Sequence, residues 1–240
     1  MKLRCWFTWI CTLGLLLGCV SRTFAAGPVL PEELFFLPQP SSHHPAIYGV
    51  DVLIDVGHGG IDSGTVHGTI EEKNINLAIA KKTYDELKRK GFNVMLNRMD
   101  DYALSSENEW LRIRSRHKKD LAQRSHLANE VKPRMMLSLH VNSSRSSGTR
   151  GPLMLYQKNE KSKQLATFLQ QAMNPLYGVT EKPRYGKTYY VLRHTKVPTV
   201  IVEMGYLTNP QDREMLTQDK GQHLIAKHIG TGVEAFLNLQ

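Results

Sequence analysis

From Tyr48 onward, hydrophobic and polar positions follow two alternating rhythms. Val50 to Val56 is a β-branched, nearly continuous apolar run and predicts a buried strand. Glu71 to Lys90 follows helical spacing, with Leu77, Ala80, Tyr84 and Leu87 on one face and Gly91 as its stop. Phe92 to Leu96 predicts a second strand, Leu121 to Val131 a helix, and Met135 to Val141 a third strand. Leu153 to Gln157 reads as a fourth strand, followed by a helix over Ser162 to Met173. Tyr189 to Leu192 and Thr199 to Met204 read as two further strands, and a helix from Gly221 to Leu237 closes the pattern. Strands alternating with helices predict a single α/β domain, with about six strands in a mixed, mostly parallel sheet flanked by helices. Ligands of such sheets gather beyond the carboxyl ends of the strands, so chemistry is sought there.

The first 47 residues break this rhythm. Lys2 and Arg4 precede an apolar run from Cys5 to Val20, and small residues follow at Ala25-Ala26. A basic start, a short apolar stretch and small residues describe a secretory signal over residues 1–26. The run is short for a membrane span, which needs roughly 20 residues. Leu16-Leu17-Gly18-Cys19 also resembles a lipoprotein signal, so cleavage, retention as a membrane anchor and lipidation at Cys19 all remain open. Residues 27–47 hold Pro28, Pro31, Pro38, Pro40 and Pro45 and predict a linker, leaving 48–240 as the catalytic domain. Export outside the cytoplasm is the expected localisation.

Composition narrows the classes further. All three cysteines lie in the leader, so the body holds neither a disulfide framework nor a cysteine-ligated metal. With 41% hydrophobic and 22% charged residues, the chain has an ordinary globular composition. The formal charge of +9 becomes +6 once Lys2, Arg4 and Arg22 are set aside. A basic surface favours polyanionic wall polymers or lipid headgroups, or is simply a soluble surface. No basic motif interleaved with aromatics points to nucleic acid.

Chemistry-bearing residues cluster at the predicted strand ends. Asp55-Val56-Gly57-His58-Gly59-Gly60 follows the first strand, His140-Val141-Asn142 ends the third, and Glu203-Met204-Gly205 ends the last. Glu72 opens the first helix. Two histidines and one carboxylate with an open fourth position make a common catalytic zinc set, and a further carboxylate is needed to move a proton. Each residue also has a plainer reading. A histidine after a strand is often a hydrogen-bonded turn residue, and Glu71-Glu72 favours a helix N-terminus electrostatically. The glycine loop is not a phosphate cradle of the P-loop kind, since the next helix begins some eleven residues on. His67 and His194 are ambiguous, while His43, His44, His117, His126, His223 and His228 read as surface or packing residues.

At these residues the chain resembles the zinc-dependent N-acetylmuramoyl-L-alanine amidases of bacterial cell walls. The resemblance runs from about Asp51 to Leu237. It rests on four ordered motifs: Val52 to Gly60, Glu72-Lys73-Asn74-Ile75-Asn76-Leu77, Ser138-Leu139-His140-Val141-Asn142, and Pro198 to Asn209. It implies that His58, Glu72 and His140 bind one Zn2+ ion and that Glu203 is the catalytic carboxylate. It also implies that Arg193 lines the active site, and that Arg98 and Arg124 are recurrent arginines whose plain role is structural pairing. Val56 stands where the family has proline, implying a looser turn, and Ser143 replaces an alanine, implying an added polar contact near the metal. The tract Arg112 to Arg124 and the absence of a binding module resemble the short germination-type amidases. Those act on spore-cortex peptidoglycan, ahead of muramic-δ-lactam formation. Peptidoglycan is then the partner, with a regulatory or stabilising protein compatible with the sequence but carrying no motif of its own. A catalytically silent wall-binding protein on the same fold is the alternative, and its expected signature, a missing ligand or catalytic carboxylate, is not found. A metallopeptidase or deacetylase is the other rival, and no His-Glu-x-x-His helix supports it.

Overall fold

The computed structural model describes residues 49–239. The leader expected over 1–26, the linker expected over 27–47, and His43 and His44 lie outside the described residues.

The elements, in chain order, are β1 (Val52–Val56), β2 (Val66–His67), β3 (Ile70–Glu71), α1 (Glu72–Arg89), β4 (Val94–Leu96), α2 (Arg116–Val131), β5 (Met135–Asn142), β6 (Leu153–Tyr156), α3 (Glu160–Tyr177), β7 (Arg184–Tyr185), α4 (Tyr190–His194), β8 (Thr199–Tyr206), α5 (Pro210–Thr217) and α6 (Asp219–Leu237). The main sheet has six strands in the order β4-β1-β5-β8-β6-β7. The first four run parallel, and β6 lies antiparallel to β8. This is the expected mixed, mostly parallel α/β sheet.

Side-chain alternation along the strands divides the molecule into two packed layers. Val52, Ile54 and Val56 of β1, Leu137 and Leu139 of β5, and Val200 and Val202 of β8 face one side. There they meet Ile75 and Ile79 of α1, Leu165 and Leu169 of α3, and Ile225, Ile229 and Val233 of α6. The intervening residues Leu53 and Met136 face the other side and pack with Ala128 of α2 and Val191 of α4. A strand covered on both faces has no polar side, which explains why all five residues of β1 are buried. Among the described residues, no helix is long and apolar enough to cross a membrane.

One expected strand is corrected. Tyr189 to Leu192 is not a strand, because Tyr190–His194 forms a short helix. Val191 packs with Leu53 and Met136, and Leu192 with Leu153, Leu155 and Ile201. Both therefore lie on the same face of the sheet, whereas a strand would send adjacent side chains to opposite faces. The edge position beside β6 is taken by Arg184–Tyr185.

Candidate metal centre and active site

The alternation that builds the two layers also aims the chemistry. In β5, Met135, Leu137, Leu139 and Val141 belong to the larger core, so Ser138 and His140 face the α2 side. In β8, Val200, Val202 and Met204 do the same, which leaves Glu203 on the α2 side. His140 and Glu203 are register partners across the parallel β5–β8 pair. They stand side by side at the carboxyl end of the sheet, where α/β folds hold their ligands.

His58 follows β1 on a tight loop closed by a bridge between Gly59 and Asp62. Its backbone is left-handed, with φ 59°. Its Nδ1 meets Asp62 Oδ2 at 2.8 Å, which turns Nε2 towards Glu72 Oε1 at 3.2 Å. Glu72 is the first residue of α1, where the helix dipole favours a carboxylate. Its Oε1 accepts from the Val141 N–H at 2.9 Å and its Oε2 from the Thr65 N–H at 2.8 Å. His140 Nδ1 lies 3.1 Å from the same Oε1. The ligating atoms of His58, Glu72 and His140 all lie within 4.8 Å of one another.

Electrostatics sets the protonation of this cluster. Burial works to raise the Glu72 carboxyl, but the hydrogen bonds and charges of His140 and His58 hold it well below the usual carboxylate range. Burial opposes a charge on His58, yet Asp62 and Glu72 outweigh it and raise the imidazole to about 9. Glu203 goes the other way. Burial pushes it up to about 7, with His140 opposing, Glu72 adding and His58 opposing. Two imidazole nitrogens and an ionised carboxylate turned to one point, with Asp62 on the far nitrogen of one imidazole, fit a divalent metal such as zinc. The glycines leave it room. A Cβ on Gly64, whose φ is +66°, would sit 2.6 Å from Glu72 Oε2 and 2.6 Å from His58 Cδ2. A cavity of about 410 Å³ opens over the cluster, lined by His58, His140 and Glu203 and walled by Thr188, Tyr189 and Leu121.

The chain has relatives of known family. A family model for N-acetylmuramoyl-L-alanine amidase matches residues 52–235. The chain belongs to this family. The germination-specific N-acetylmuramoyl-L-alanine amidase of Bacillus subtilis is 30% identical over 188 residues, which is 77% of this chain and 78% of that protein. The probable cell wall amidase LytH of Staphylococcus aureus is 27% identical over 80% of this chain and 60% of its own length. The CwlD amidase from Clostridioides difficile, solved in complex with the GerS lipoprotein, superposes with a TM-score of 0.74 at 28% identity. That match covers 80% of this chain and 100% of the other.

The amidase brings together four of the five expected site residues and leaves one out. Arg193 is exposed and lines a separate depression with Gln157, Lys158 and Tyr185. In α4 it is Tyr190 and Val191 that line the cavity over the cluster, and Arg193 does not. Contrary to what the resemblance implies, Arg193 therefore does not line the active-site cavity. His67 is exposed on β2, and His194 is exposed and stacks on Tyr190 with ring centroids 3.8 Å apart. Neither joins the cluster.

Arg124 and Arg98 hold the His58 loop from below. Arg124 pairs with Asp55 at 2.5 Å and Asp120 at 2.6 Å, and donates to the carbonyls of Val56 and His58. Arg98 donates to the Gly57 and Lys73 carbonyls, each at 3.1 Å. Val56 does more than replace a proline, since its N–H donates to Asn97 Oδ1 at 2.9 Å, a bond proline cannot make. Ser143 is exposed and does not line the cavity. His117, expected to be a surface or packing residue, is exposed but also lines the cavity, as does Asp62, which the sequence reading did not single out. The only sequence signal for Asp62 was its place four residues after His58 in the glycine loop.

Proposed function

We propose that the amidase is zinc-dependent, with His58, Glu72 and His140 holding the ion and Glu203 moving the proton. The observation that carries this reading is the convergence of those three side chains beside Glu203, the register partner of His140. The family hydrolyses the amide between the lactyl group of N-acetylmuramic acid and the L-alanine of the stem peptide. A bound zinc ion supplies Lewis acidity for the scissile carbonyl and for the attacking water. Glu203, buried and with its pKa pushed up to about 7, accepts the proton of that water and returns it to the leaving amine of L-alanine. Asp62 keeps the His58 ring oriented, with Nε2 facing Glu72. Glu72 is kept ionised and fixed by the Val141 and Thr65 N–H groups.

The substrate is peptidoglycan outside the cytoplasm, with residues 1–26 serving export and 27–47 spacing the domain from the membrane or cleavage point. Spore cortex is the favoured setting, supported by the 30% identity to the germination-specific amidase. Stem-peptide removal there leaves the lactyl carboxyl free for a later muramic-δ-lactam step. The CwlD amidase was solved with a lipoprotein bound, which supports a protein partner for this chain as well.

The test is mass analysis of digested peptidoglycan together with metal content. Wild-type protein should carry one zinc and release peptides with free L-alanine amino termini. Glu203→Gln should keep the zinc and lose about 10²- to 10⁴-fold in kcat. Near-normal release by that variant would remove Glu203 from the mechanism.

A further inference from the structure

Asn76 lies one turn after Glu72 on the same face of α1 and is fully buried. Asparagine is a poor helix former, because its amide competes with the backbone for hydrogen bonds. Here the amide reaches away from its own helix backbone. Its Nδ2 donates to the Gly57 carbonyl at 3.2 Å and to Glu72 Oε1 at 3.3 Å. Two acceptors face the nitrogen, so the reverse orientation of the amide would set oxygen against oxygen. Its Oδ1 has no partner among the described residues. A buried amide with one end unpaired costs stability, and an apolar side chain of the same size would fill the space between α1 and β1 without that cost.

The two acceptors are the ones that matter to the cluster. Glu72 Oε1 is the oxygen that faces His58 Nε2 and His140 Nδ1. Gly57 directly precedes His58, and its N–H donates to the carbonyl of Leu139 at 3.1 Å, one residue before His140. The Gly57 peptide therefore touches the segments that carry all three proposed ligands, reaching the helix of Glu72 through Asn76. Only glycine allows this approach. A Cβ on residue 57 would lie 2.5 Å from the Leu139 carbonyl oxygen and 2.6 Å from His140 Cε1. Asn76 itself does not line the cavity over the cluster, so any effect it has passes through these neighbours.

We propose that Asn76 is a positioning residue for the metal, holding Glu72 Oε1 and the backbone that enters His58 in the ligating arrangement. This rests on the function proposed above, because it takes His58, Glu72 and His140 as the ligands. Without the amide donor, Glu72 keeps the Val141 and Thr65 N–H bonds, and the Gly57 carbonyl keeps its bond from Arg98. The direct link between carboxylate and loop is lost. Binding an ion must then remove freedom that Asn76 removes beforehand, so affinity falls although every ligand is present.

The experiment titrates the full chain with zinc, and with cobalt(II), whose visible absorption reports the arrangement of its ligands. Asn76→Leu is close in volume and removes both donations, whereas Asn76→Asp keeps the shape and turns an acceptor towards both oxygens. The zinc Kd should rise about 10- to 100-fold in each variant. The cobalt bands should change in position or intensity, while the Tm measured with a chelator stays within a few degrees of wild type. At saturating zinc the KM for a muropeptide should be unchanged. Should Asn76→Leu fail to fold, Asn76→Asp is read in the same direction. Wild-type Kd and cobalt bands in the folded variants would overturn the inference. So would a zinc affinity that falls only in step with the chelated Tm, which would make Asn76 a packing residue. His140→Ala separates this inference from the ligand set. Zinc binding by His140→Ala equal to wild type would sink both. Binding lost in His140→Ala and kept in both Asn76 variants would sink the positioning role alone.

Discussion

At His58 three demands meet: a left-handed backbone with φ 59°, Asp62 on Nδ1 and Glu72 facing Nε2. A non-glycine residue in that backbone region costs about 1 kcal/mol or more and persists only when its surroundings enforce it. The enforcement comes from the Asp62 bond and from Arg124, which donates to the His58 carbonyl at 2.9 Å. The metal-free protein consequently keeps His58 protonated up to about pH 9, against an ordinary value of 6.5. Because this pKa is raised, the proton's contribution to stability is fully present below 6.5 and is lost as pH rises through about 9. On the proposed ligand set, an incoming zinc ion would have to displace that proton from Nε2. Apparent zinc affinity should therefore weaken about ten-fold for each pH unit below about 9, with one proton released per ion near neutrality. Calorimetry of zinc binding in buffers of different ionisation enthalpy measures the released proton directly. A release of zero at pH 7 would mean that His58 is neutral before the metal arrives.

Between elements, a buried polar group joins β1 to α2. Asp55 is fully buried in β1 and is bonded to Arg124 Nη1 at 2.5 Å, Ser138 Oγ at 2.5 Å and Asn97 Nδ2 at 2.5 Å. Burial alone would raise its carboxyl, but the Arg124 charge and the Ser138 bond hold it below its ordinary 3.8. A depressed carboxylate contributes stability above its unfolded pKa and loses it as pH falls through the folded one, so this tie weakens only below about pH 4. Asp55→Ala leaves Arg124 buried with Asp120 as its one remaining carboxylate. The loss should be about 3 kcal/mol, the lower end for breaking a buried pair. Adding Arg124→Met should recover part of it by removing the stranded charge, as urea unfolding of both variants would reveal. A single-variant loss under about 0.5 kcal/mol would mean that the pair is relaxed in solution.

Elements were legible in the sequence where burial imposes a long pattern. β1 and β5 are covered on both faces and read as continuous apolar runs, while α1 and α6 repeat their buried positions over several turns. Tyr189 to Leu192 misled because four apolar residues carry no period, and only the surrounding clusters decide between strand and helix. The two residues of β7 are too few to show alternation. α5 was overlooked although Asn209-Pro210 marks its start, with Asn209 Oδ1 accepting from the Asp212 N–H at 3.0 Å. The site follows the same division. His58 follows a readable strand and His140 and Glu203 lie towards the carboxyl ends of two others, whereas Asp62 becomes a site residue only through the folding of its loop and His117 through the placement of the first turn of α2.

Across the whole molecule, the cluster joins parts of the chain that the hydrophobic cores do not tie at that point. His58 stands on the loop after β1, Glu72 opens α1, and His140 lies near the end of β5. Without an ion, the three would-be ligands meet only through contacts of 3.1 and 3.2 Å between the histidine rings and Glu72, beside the Val141 N–H bond to the same carboxylate. An ion bound only by the native arrangement stabilises it by mass action, about 2.7 kcal/mol when free metal is a hundred times Kd. For a domain of this size that corresponds to a Tm increase of roughly 5–11 °C. Thermal scans of the protein with zinc and with a chelator should differ by that amount, and the difference should narrow on acidification as His58 retains its proton. His140→Ala removes one ligand from a half-buried position and should abolish the response while leaving the chelated Tm within a few degrees of wild type. If that variant still responded to zinc fully, the ion would be bound elsewhere, and the placement of the metal between β1, α1 and β5 would fail.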